Sequence, residues 1–360
     1  MKQHTNFTPG PSQLYFTVAD HARQAFKEGI PSLSHRSKKF EQISKEATDG
    51  LRELLKVPLG AHIFFTGSAT EIWERVFQNL VAETSFHLVN GSFSKRFHEI
   101  GIQLKKNAQK VEVPAGQGFD FATTVPSDTE LIAVTHNETS TGVSIPLEFI
   151  AELKRKNPNA LLAVDAVSSL PYPAFDFDEV DTLFFSVQKG FGMPAGLGVW
   201  IVNEKCIERA QSLAAKNIST GSYHNIETLL AHAVKHQTPE TPNVLGIYLL
   251  GKVVSDFLRR GIDTIRRETD YKAALLYQAL EQHHAIKPFV ADKQFRSKTV
   301  IVAHCGEHTS RLSNFLSSKG LDAGSGYGAA KQTQLRFANF PAHSKEQYEL
   351  LVDSIAAFKP

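Results

Sequence analysis

The chain has 360 residues, a formal net charge of +2 at pH 7, and 42% hydrophobic and 21% charged residues. This composition predicts a soluble protein of two domains, without a membrane span, a secretion signal or a basic surface for nucleic acid. Its two cysteines lack metal-like spacing and suit a reducing compartment, so we expect a cytoplasmic protein without a metal site.

A helix is predicted over Glu41–Leu55, with Ser34 or Ser37 as its N-terminal cap. His35 and Arg36 therefore lie in the approach to this helix or in its first turn. A histidine and an arginine at such a place either bind an anionic ligand or form an ordinary solvated face. The sequence leaves both interpretations open.

The next element is a strand that turns directly into a helix. His62–Phe65 is short and apolar and predicts a strand, while Thr66–Leu80 predicts an amphipathic helix that opens with the small residues Gly67–Thr70. A helix that starts at such a turn has free backbone N–H groups and the positive end of its dipole, which together favour an anion. The turn is a candidate phosphate site, although many such turns only cap a helix.

Three further apolar runs predict strands, and each leads into polar or aromatic residues. The strands are Phe86–Val89, Leu131–Val134 and Leu161–Val164, and they alternate with helices. This alternation predicts a doubly wound, mostly parallel sheet, in which ligands bind beyond the carboxyl ends of the strands. The residues that follow these strands are Phe93, the polar cluster Thr135–Gly142 and Asp165. We therefore expect them to meet at one edge of the sheet.

Lys189 lies between two apolar runs, Thr182–Val187 and Val199–Val202, just before a cluster of glycines. The runs predict two buried strands, and the glycines predict a tight connection. A lysine at the end of a buried strand is desolvated, so its amine can attack a carbonyl to form a Schiff base. Alternatively, its stem crosses the sheet edge and its head reaches water. Asp165, at the end of another strand, needs a partner, and a pyridinium nitrogen would be one.

The C-terminal part predicts a smaller α+β domain. Helices are predicted over Val244–Arg260 with Gly261 as the stop, Ile262–Gln282, Thr309–Lys319 and Ser344–Phe358, and strands near Thr299–Ala303 and Gln334–Phe337. We divide the chain into an N-terminal arm of residues 1–15, a large domain of residues 16–255 and a small domain of residues 256–360. Arg336 lies inside an apolar strand, where its guanidinium would either bind a carboxylate or form a structural ion pair.

The motifs occur in an order that resembles one known family. The order is the Gly-Ser-Ala-Thr turn, an aromatic loop, Asn-Glu-Thr, Asp165 after a strand, and Ser-Val-Gln-Lys-Gly. It resembles the class V aminotransferases, which are fold-type I enzymes that depend on pyridoxal phosphate. More narrowly, the chain is similar to the phosphoserine aminotransferases over nearly its whole length. The segments that carry this narrower likeness are Asn6–Pro11, Ser34–Phe40, His136–Thr139, Gln188–Lys189 and Gly192–Gly196.

The resemblance implies a role for each candidate residue. Lys189 would bind the cofactor's aldehyde and later carry the α-proton, Asp165 would hold the pyridine nitrogen, and Phe93 would stack on the ring. Thr139 would approach the edge of the ring or its phenolic oxygen. The cofactor phosphate would be bound by Ser68, Ala69, Thr70 and Gln188, joined from the other subunit of a homodimer by Gln237 and Thr238, with Thr241 as the alternative to Thr238.

The resemblance also implies how a substrate is bound. Arg336 would clamp its α-carboxylate, and His35 and Arg36 would reach across the dimer toward a distal phosphate. The chain departs from this pattern at Thr70, where the family has an arginine, and at Tyr327–Lys331, where the family has a His-Arg pair. The likeness therefore predicts a phosphoserine:2-oxoglutarate aminotransferase. The missing phosphate ligands favour instead an unphosphorylated substrate such as alanine, serine or glyoxylate.

Two other classes fit the sequence less well. A cysteine desulfurase needs a cysteine on a mobile loop, whereas Cys305 closes an apolar run and is predicted to be structural. A non-catalytic nucleotide or phosphate binder is disfavoured because Lys189 precedes the glycines, whereas the lysine of a P-loop follows them.

Overall fold

The structure is a computed structural model that describes residues 4–360, so residues 1–3 of the predicted arm lie outside the described residues. The strands, numbered in chain order, are β1 (Thr5–Phe7), β2 (His62–Thr66), β3 (Thr84–Val89), β4 (Asn107–Glu112), β5 (Leu131–Thr135), β6 (Asn137–Glu138), β7 (Val143–Ser144), β8 (Leu161–Asp165), β9 (Thr182–Ser186), β10 (Gly198–Val202), β11 (Lys287–Pro288), β12 (Val300–His304), β13 (Leu321–Ser325) and β14 (Gln334–Ala338).

The helices are α1 (Val18–Lys27), α2 (Lys38–Leu55), α3 (Ala69–Leu80), α4 (Ser92–Gln103), α5 (Leu147–Lys156), α6 (Glu204–Ala215), α7 (Ile226–Ala233), α8 (Val244–Arg260), α9 (Ile262–Gln282), α10 (Thr309–Ser318) and α11 (Lys345–Ala357). Of the two predicted caps for α2, Ser37 is the one used, since its side chain accepts a hydrogen bond from the Phe40 N–H. Between residues 4 and 360, the helices are all too short or too polar to cross a membrane.

The larger sheet has seven strands in the order β2-β10-β9-β8-β5-β3-β4. The pairs β3–β4, β3–β5, β5–β8 and β8–β9 are parallel, and β10 is antiparallel to both of its neighbours. Successive residues of β9 enter opposite cores, with Leu183 and Phe185 in one and Phe184 in the other. Burial on both faces is typical of parallel strands and explains the continuous apolar runs.

The register of these strands brings their ends to one edge. Thr135, at the end of β5, pairs with Asp165 at the end of β8. Gly198, which begins the antiparallel β10, pairs with Ser186 at the end of β9 and with Thr66 at the end of β2. The turns that follow β2, β5, β8 and β9 therefore meet beyond one edge of the sheet, as expected for a doubly wound sheet.

The smaller sheet has five strands in the order β1-β13-β14-β12-β11. Its first strand comes from the N-terminal segment, because Thr5–Phe7 pairs in parallel with Leu321–Ala323 and the Phe7 ring is fully buried in the small core. Gly261 ends α8 with φ +82°, as predicted for a helix stop. The proposed boundary at residues 255 and 256 falls inside α8, and it stays a prediction.

Beyond β1 the N-terminal segment crosses to the larger sheet and contacts the loop that carries Lys189. The Ser12 N–H donates to the Gln188 carbonyl at 3.1 Å, and the Tyr15 N–H donates to the Gly192 carbonyl at 2.8 Å. These two hydrogen bonds fix the N-terminal segment against the loop at the edge where the strand ends meet.

Candidate active site

Eight of the predicted site residues line one cavity of about 210 Å³ at the carboxyl ends of the strands. They are Ser68, Ala69, Thr70, Phe93, Thr139, Asp165, Gln188 and Lys189. They come from five separate places in the sequence, and the parallel register of the sheet is what brings them together. This cavity is the candidate active site.

Lys189 lies in the cavity with only 8% of its surface exposed. Burial and the charge of Arg336 together lower the pKa of its amine to about 8, against the opposing charges of Asp165 and Glu138. The Nζ atom lies 5.8 Å from the centroid of the Phe93 ring. A substantial fraction of this amine is therefore neutral near pH 8, as a nucleophile requires.

Asp165 is the buried carboxylate of the cavity, and burial raises its pKa to about 6. Its Oδ2 accepts a hydrogen bond from the Trp73 indole at 2.9 Å, and its Oδ1 accepts one from the Val167 N–H at 3.0 Å. Sequence reasoning missed Trp73. Its position one helical turn after Ala69 was the available signal, because residues four apart share a helix face.

Some of the backbone N–H groups in the small-residue turn before α3 already donate hydrogen bonds within the chain. The Gly67 N–H donates to Glu71 Oε2 at 2.9 Å, and Ser68 Oγ accepts from the Glu71 N–H as the helix cap. The Ala69 N–H donates to Ser186 Oγ at 2.8 Å. Within residues 4–360, the Thr70 N–H has no such acceptor. Of the two amides predicted for a phosphate, that of Thr70 is the one left available here.

The loop that carries Phe93 is held by a carboxylate that the sequence did not single out. Glu138 is fully buried, and it accepts hydrogen bonds from the Phe93 N–H at 3.3 Å and the Ser94 N–H at 2.9 Å. It also accepts from the hydroxyls of Ser94 and Ser140. A carboxylate at the first N–H groups of α4 satisfies both hydrogen bonding and the helix dipole. Glu138 therefore fixes the backbone that positions Phe93.

Arg336 lies beside the cavity. Its Nε donates to the Ser325 carbonyl at 2.7 Å, and its Nη1 donates to the Thr139 carbonyl at 3.2 Å. The guanidinium carbon lies 5.4 Å from the Tyr327 ring centroid, and that ring is 5.1 Å from the Phe93 ring. Burial lowers the pKa of Arg336. Its two bonds to carbonyls fix the orientation of the fork without neutralising its charge, which suits it to bind a carboxylate.

The other five predicted residues form a second cluster, and none of them lines the cavity. Arg36 Nη1 donates to Gln237 Oε1 at 2.9 Å and to the Thr238 carbonyl at 2.8 Å. The Thr238 hydroxyl is buried and donates to the Glu240 carbonyl at 2.7 Å. Thr241 is exposed, and its hydroxyl lies 3.4 Å from His35 Nδ1. The structure thus gathers these residues with each other, away from Lys189.

The cavity has the features that a flat, phosphorylated aromatic ring requires. Three buried polar atoms on its lining residues, Gln188 Oε1, Thr135 Oγ1 and Asn137 Oδ1, have no hydrogen-bond partner within residues 4–360. Gly10, with φ +151°, passes so close to Lys189 that a Cβ would lie 2.3 Å from Nζ. Buried atoms without partners and a backbone without side-chain bulk leave room and bonding capacity for a ligand.

A buried amine of lowered pKa, a buried carboxylate, an aromatic ring and a free N–H at a helix start lie together at one edge of a doubly wound sheet. This arrangement is the one expected of a fold-type I pyridoxal-phosphate enzyme. The family model described as aminotransferase class-V matches residues 4–343. The chain therefore belongs to the class V aminotransferases, and pyridoxal phosphate is its cofactor.

Individual relatives agree with this assignment. The solved structure of a phosphoserine aminotransferase from Cytophaga hutchinsonii is 50% identical, with a TM-score of 0.97 and 99% of each chain covered. A curated phosphoserine aminotransferase from Rhodococcus opacus is 28% identical over 327 residues, which cover 89% of this chain and 86% of the relative. An aspartate aminotransferase from Thermus thermophilus, 23% identical with a TM-score of 0.84 over 97% of each chain, shares the fold. The predicted fold and family are confirmed.

Proposed function

We propose that this aminotransferase interconverts phosphoserine and 3-phosphohydroxypyruvate, with 2-oxoglutarate as the partner oxo acid. The observation that carries the proposal is the likeness, 50% identical over 99% of both chains, to a structure named phosphoserine aminotransferase. The site supports it, because Lys189, Asp165 and Arg336 provide the amine, the carboxylate and the guanidinium that an amino-acid substrate and the cofactor need.

The cofactor, when bound, supplies an electron sink that lets the substrate's α-proton leave. The chain's own residues would do the rest. Lys189 would bind the cofactor's aldehyde and then carry the α-proton at Nζ. Asp165 would hold the proton of the pyridine nitrogen, Phe93 would cover one face of the ring, and Arg336 would orient the substrate's α-carboxylate. The Thr70 N–H and Gln188 would bind the cofactor phosphate.

The second cluster supports a homodimer with shared active sites. Its residues carry hydrogen-bonding groups of the kind that bind phosphate, yet they lie away from the cavity of their own chain. In the proposed dimer they complete the site of the other subunit. We assign this role to Thr241 in preference to Thr238, because the Thr238 hydroxyl is buried and donates within its own loop. We place the dimer in the cytoplasm, in line with the reduced cysteines.

The test is a half-reaction that compares phosphoserine, serine and alanine. The purified holoenzyme is mixed with each amino acid alone, and the loss of the absorbance band of the lysine-bound cofactor is followed. Phosphoserine is expected to react with the highest kcat/KM. Lys189→Ala is the matched control and is expected to lack the band. A holoenzyme that reacts with serine or alanine as fast as with phosphoserine would contradict the proposed substrate.

One observation favours a second candidate, transamination of an unphosphorylated substrate of the alanine or serine–glyoxylate type. Among the described residues that line the cavity, Lys189 is the one cation, and Thr70 stands where an arginine would reach a phosphate. A phosphate relies on charge-assisted hydrogen bonds worth about 1.5–3 kcal/mol each. The same half-reaction decides between the two, because a preference for alanine or serine supports the second candidate.

A further inference from the structure

We propose that His224 is a positioning residue that ties the cofactor-phosphate turn of one active site to the loop of residues 236–243 that serves the other. The inference rests on the proposed dimer with shared sites. It concerns a residue outside both groups of predicted site residues. Its basis is a continuous chain of contacts between those two groups.

His224 lies buried between two carboxylates, with 2% of its surface exposed. Its Nδ1 donates to Glu71 Oε1, and its Nε2 lies 2.9 Å from Glu240 Oε2 in an ion pair whose atoms are not aligned as a hydrogen bond. The second oxygen of Glu71 accepts the Gly67 N–H at 2.9 Å. The contacts therefore run without a break from Gly67, in the phosphate turn, to Glu240, in the loop.

The charges around His224 require a protonated ring. Burial by itself would lower its pKa, but the close contacts with the carboxylates of Glu240 and Glu71 and their charges outweigh burial and raise the pKa to about 9. A neutral ring with its proton on Nδ1 would turn an unshared pair toward the Glu240 carboxylate. Four other charged or titratable groups act on this pair of carboxylates: Arg75, whose Nε lies 3.9 Å from Glu71, the Tyr223 ring, stacked on His224 with centroids 3.9 Å apart, and His35 and His232, which interact with the charge of Glu240. Only a cationic ring turns an N–H toward both carboxylates at once.

Glu240 passes this constraint to the loop. Its carbonyl accepts the buried Thr238 hydroxyl at 2.7 Å, and the next residue in the chain is Thr241, which we assign to the other subunit's phosphate. Without the cation, two half-buried carboxylates would repel each other across the gap. The repulsion would weaken the contacts that hold Glu71 to the phosphate turn and Glu240 in the loop.

The experiment measures binding of pyridoxamine 5′-phosphate to the apo-enzyme. This probe carries the ring and phosphate of the cofactor without its aldehyde, so no covalent bond to Lys189 enters the result. His224→Gln is expected to weaken binding about tenfold, the factor that corresponds to one charge-assisted hydrogen bond. His87→Gln is the matched control, since His87 is equally buried with its pKa lowered to about 3 and lies outside the site. It is expected to change binding less than twofold.

The pH dependence separates positioning from simple damage to the fold. A group whose folded pKa is raised contributes fully below its ordinary value and loses that contribution as pH rises through the folded value. The ratio of the dissociation constants of His224→Gln and wild type is therefore expected to fall toward one between pH 7 and pH 10. Lys189 titrates in both proteins, so its effect cancels in the ratio.

Glu240→Gln is the second variant, because this loop carboxylate can be neutralised without opening the core. It is expected to weaken probe binding severalfold. The pH at which probe binding weakens is expected to be lower in this variant than in wild type. Unchanged binding in both variants, or a ratio independent of pH, would overturn the role of His224. Failure of the proposed substrate reaction, with these binding effects intact, would refute the substrate and leave His224 in place.

Discussion

Replacing Glu138 by glutamine is expected to destabilise the fold and to disturb Phe93, the residue proposed to stack on the cofactor ring. The carboxylate accepts five hydrogen bonds: Oε1 takes the N–H groups of Phe93 and Ser140 and the Ser140 hydroxyl, and Oε2 takes the N–H and hydroxyl of Ser94. The glutamine side chain has one oxygen, so its NH₂ group must replace either Oε1 or Oε2 and cannot accept the donors at that position. Placing the NH₂ group at the position of Oε2 costs less, because only the two bonds from Ser94 are lost. At about 1.5 kcal/mol for each charge-assisted bond, the loss is about 3 kcal/mol.

The assay is thermal unfolding of the apo-enzyme. At roughly 2 °C for each kcal/mol in a chain of this size, the midpoint is expected to fall by about 6 °C. Ser140→Ala is the companion variant: it keeps the charge of Glu138 but removes a hydroxyl that donates to Glu138 and accepts the Ser92 N–H at 3.0 Å, so we expect it to cost about 2.5 kcal/mol. The charge of Glu138 also raises the pKa of Lys189, so Glu138→Gln should lower that pKa below about 8. A midpoint within about 3 °C of wild type would refute the reasoning, because about 3 °C is the effect that the loss of a single charge-assisted bond predicts.

Four further predictions follow from single contacts. Gly10→Ala would place a Cβ 2.3 Å from Lys189 Nζ, and it is expected to abolish the absorbance band of bound cofactor while leaving the apo-enzyme folded by circular dichroism. Trp73→Phe removes a donor that lowers the pKa of Asp165, so that pKa should rise above about 6; cofactor affinity should fall severalfold at pH 6.5 and less at pH 8 in an equilibrium titration. Lys154→Met removes the buried cation that binds Asp181 at 2.7 Å and leaves that carboxylate only Lys205, at 4.0 Å, as a charged partner; it should destabilise the protein by about 3 kcal/mol in denaturant unfolding. Because burial lowers the pKa of Lys189 to about 8, the rate at which the apo-enzyme captures pyridoxal phosphate in stopped flow should rise with pH and level off above about pH 8, well below the ordinary lysine value of 10.5.

The cavity could be predicted from the sequence because two simple rules select it. Apolar runs that alternate with helices indicate a doubly wound sheet, and such a sheet brings the residues after its strands to one edge. Asp165 and Lys189 lie at the ends of buried strands. A charged group is costly to bury there, so it indicates either a binding partner or a chemical role. The antiparallel β10 did not disturb this logic, since its first residue, Gly198, pairs with the ends of β2 and β9.

The residues that hold the site in place could not be predicted in the same way. Trp73 is a helix residue with ordinary helical spacing, and only the packing of α3 on β8 shows that its indole meets Asp165. Glu138 lies in a polar cluster that indicated a site, but its five donors come from two separate segments. Gly10 reaches Lys189 across almost half of the chain. Such partners depend on tertiary distance, which neither periodicity nor motif spacing records.

The substrate's distal group is harder to predict than the reaction, because its proposed ligands are committed within their own chain. Arg36 donates to His232, Gln237 and the carbonyls of Thr238 and Pro239. To bind a phosphate, this guanidinium would have to exchange some of these acceptors for the ligand, and the net gain would be smaller than that of a free arginine. His35 makes one long contact, to Thr241, and is the more available of the pair. Burial and the charge of Arg36 lower the pKa of His35. A phosphate bound beside it would oppose both effects, because an opposite charge favours the protonated ring, so binding of a phosphate by this cluster would depend on His35 more than on Arg36.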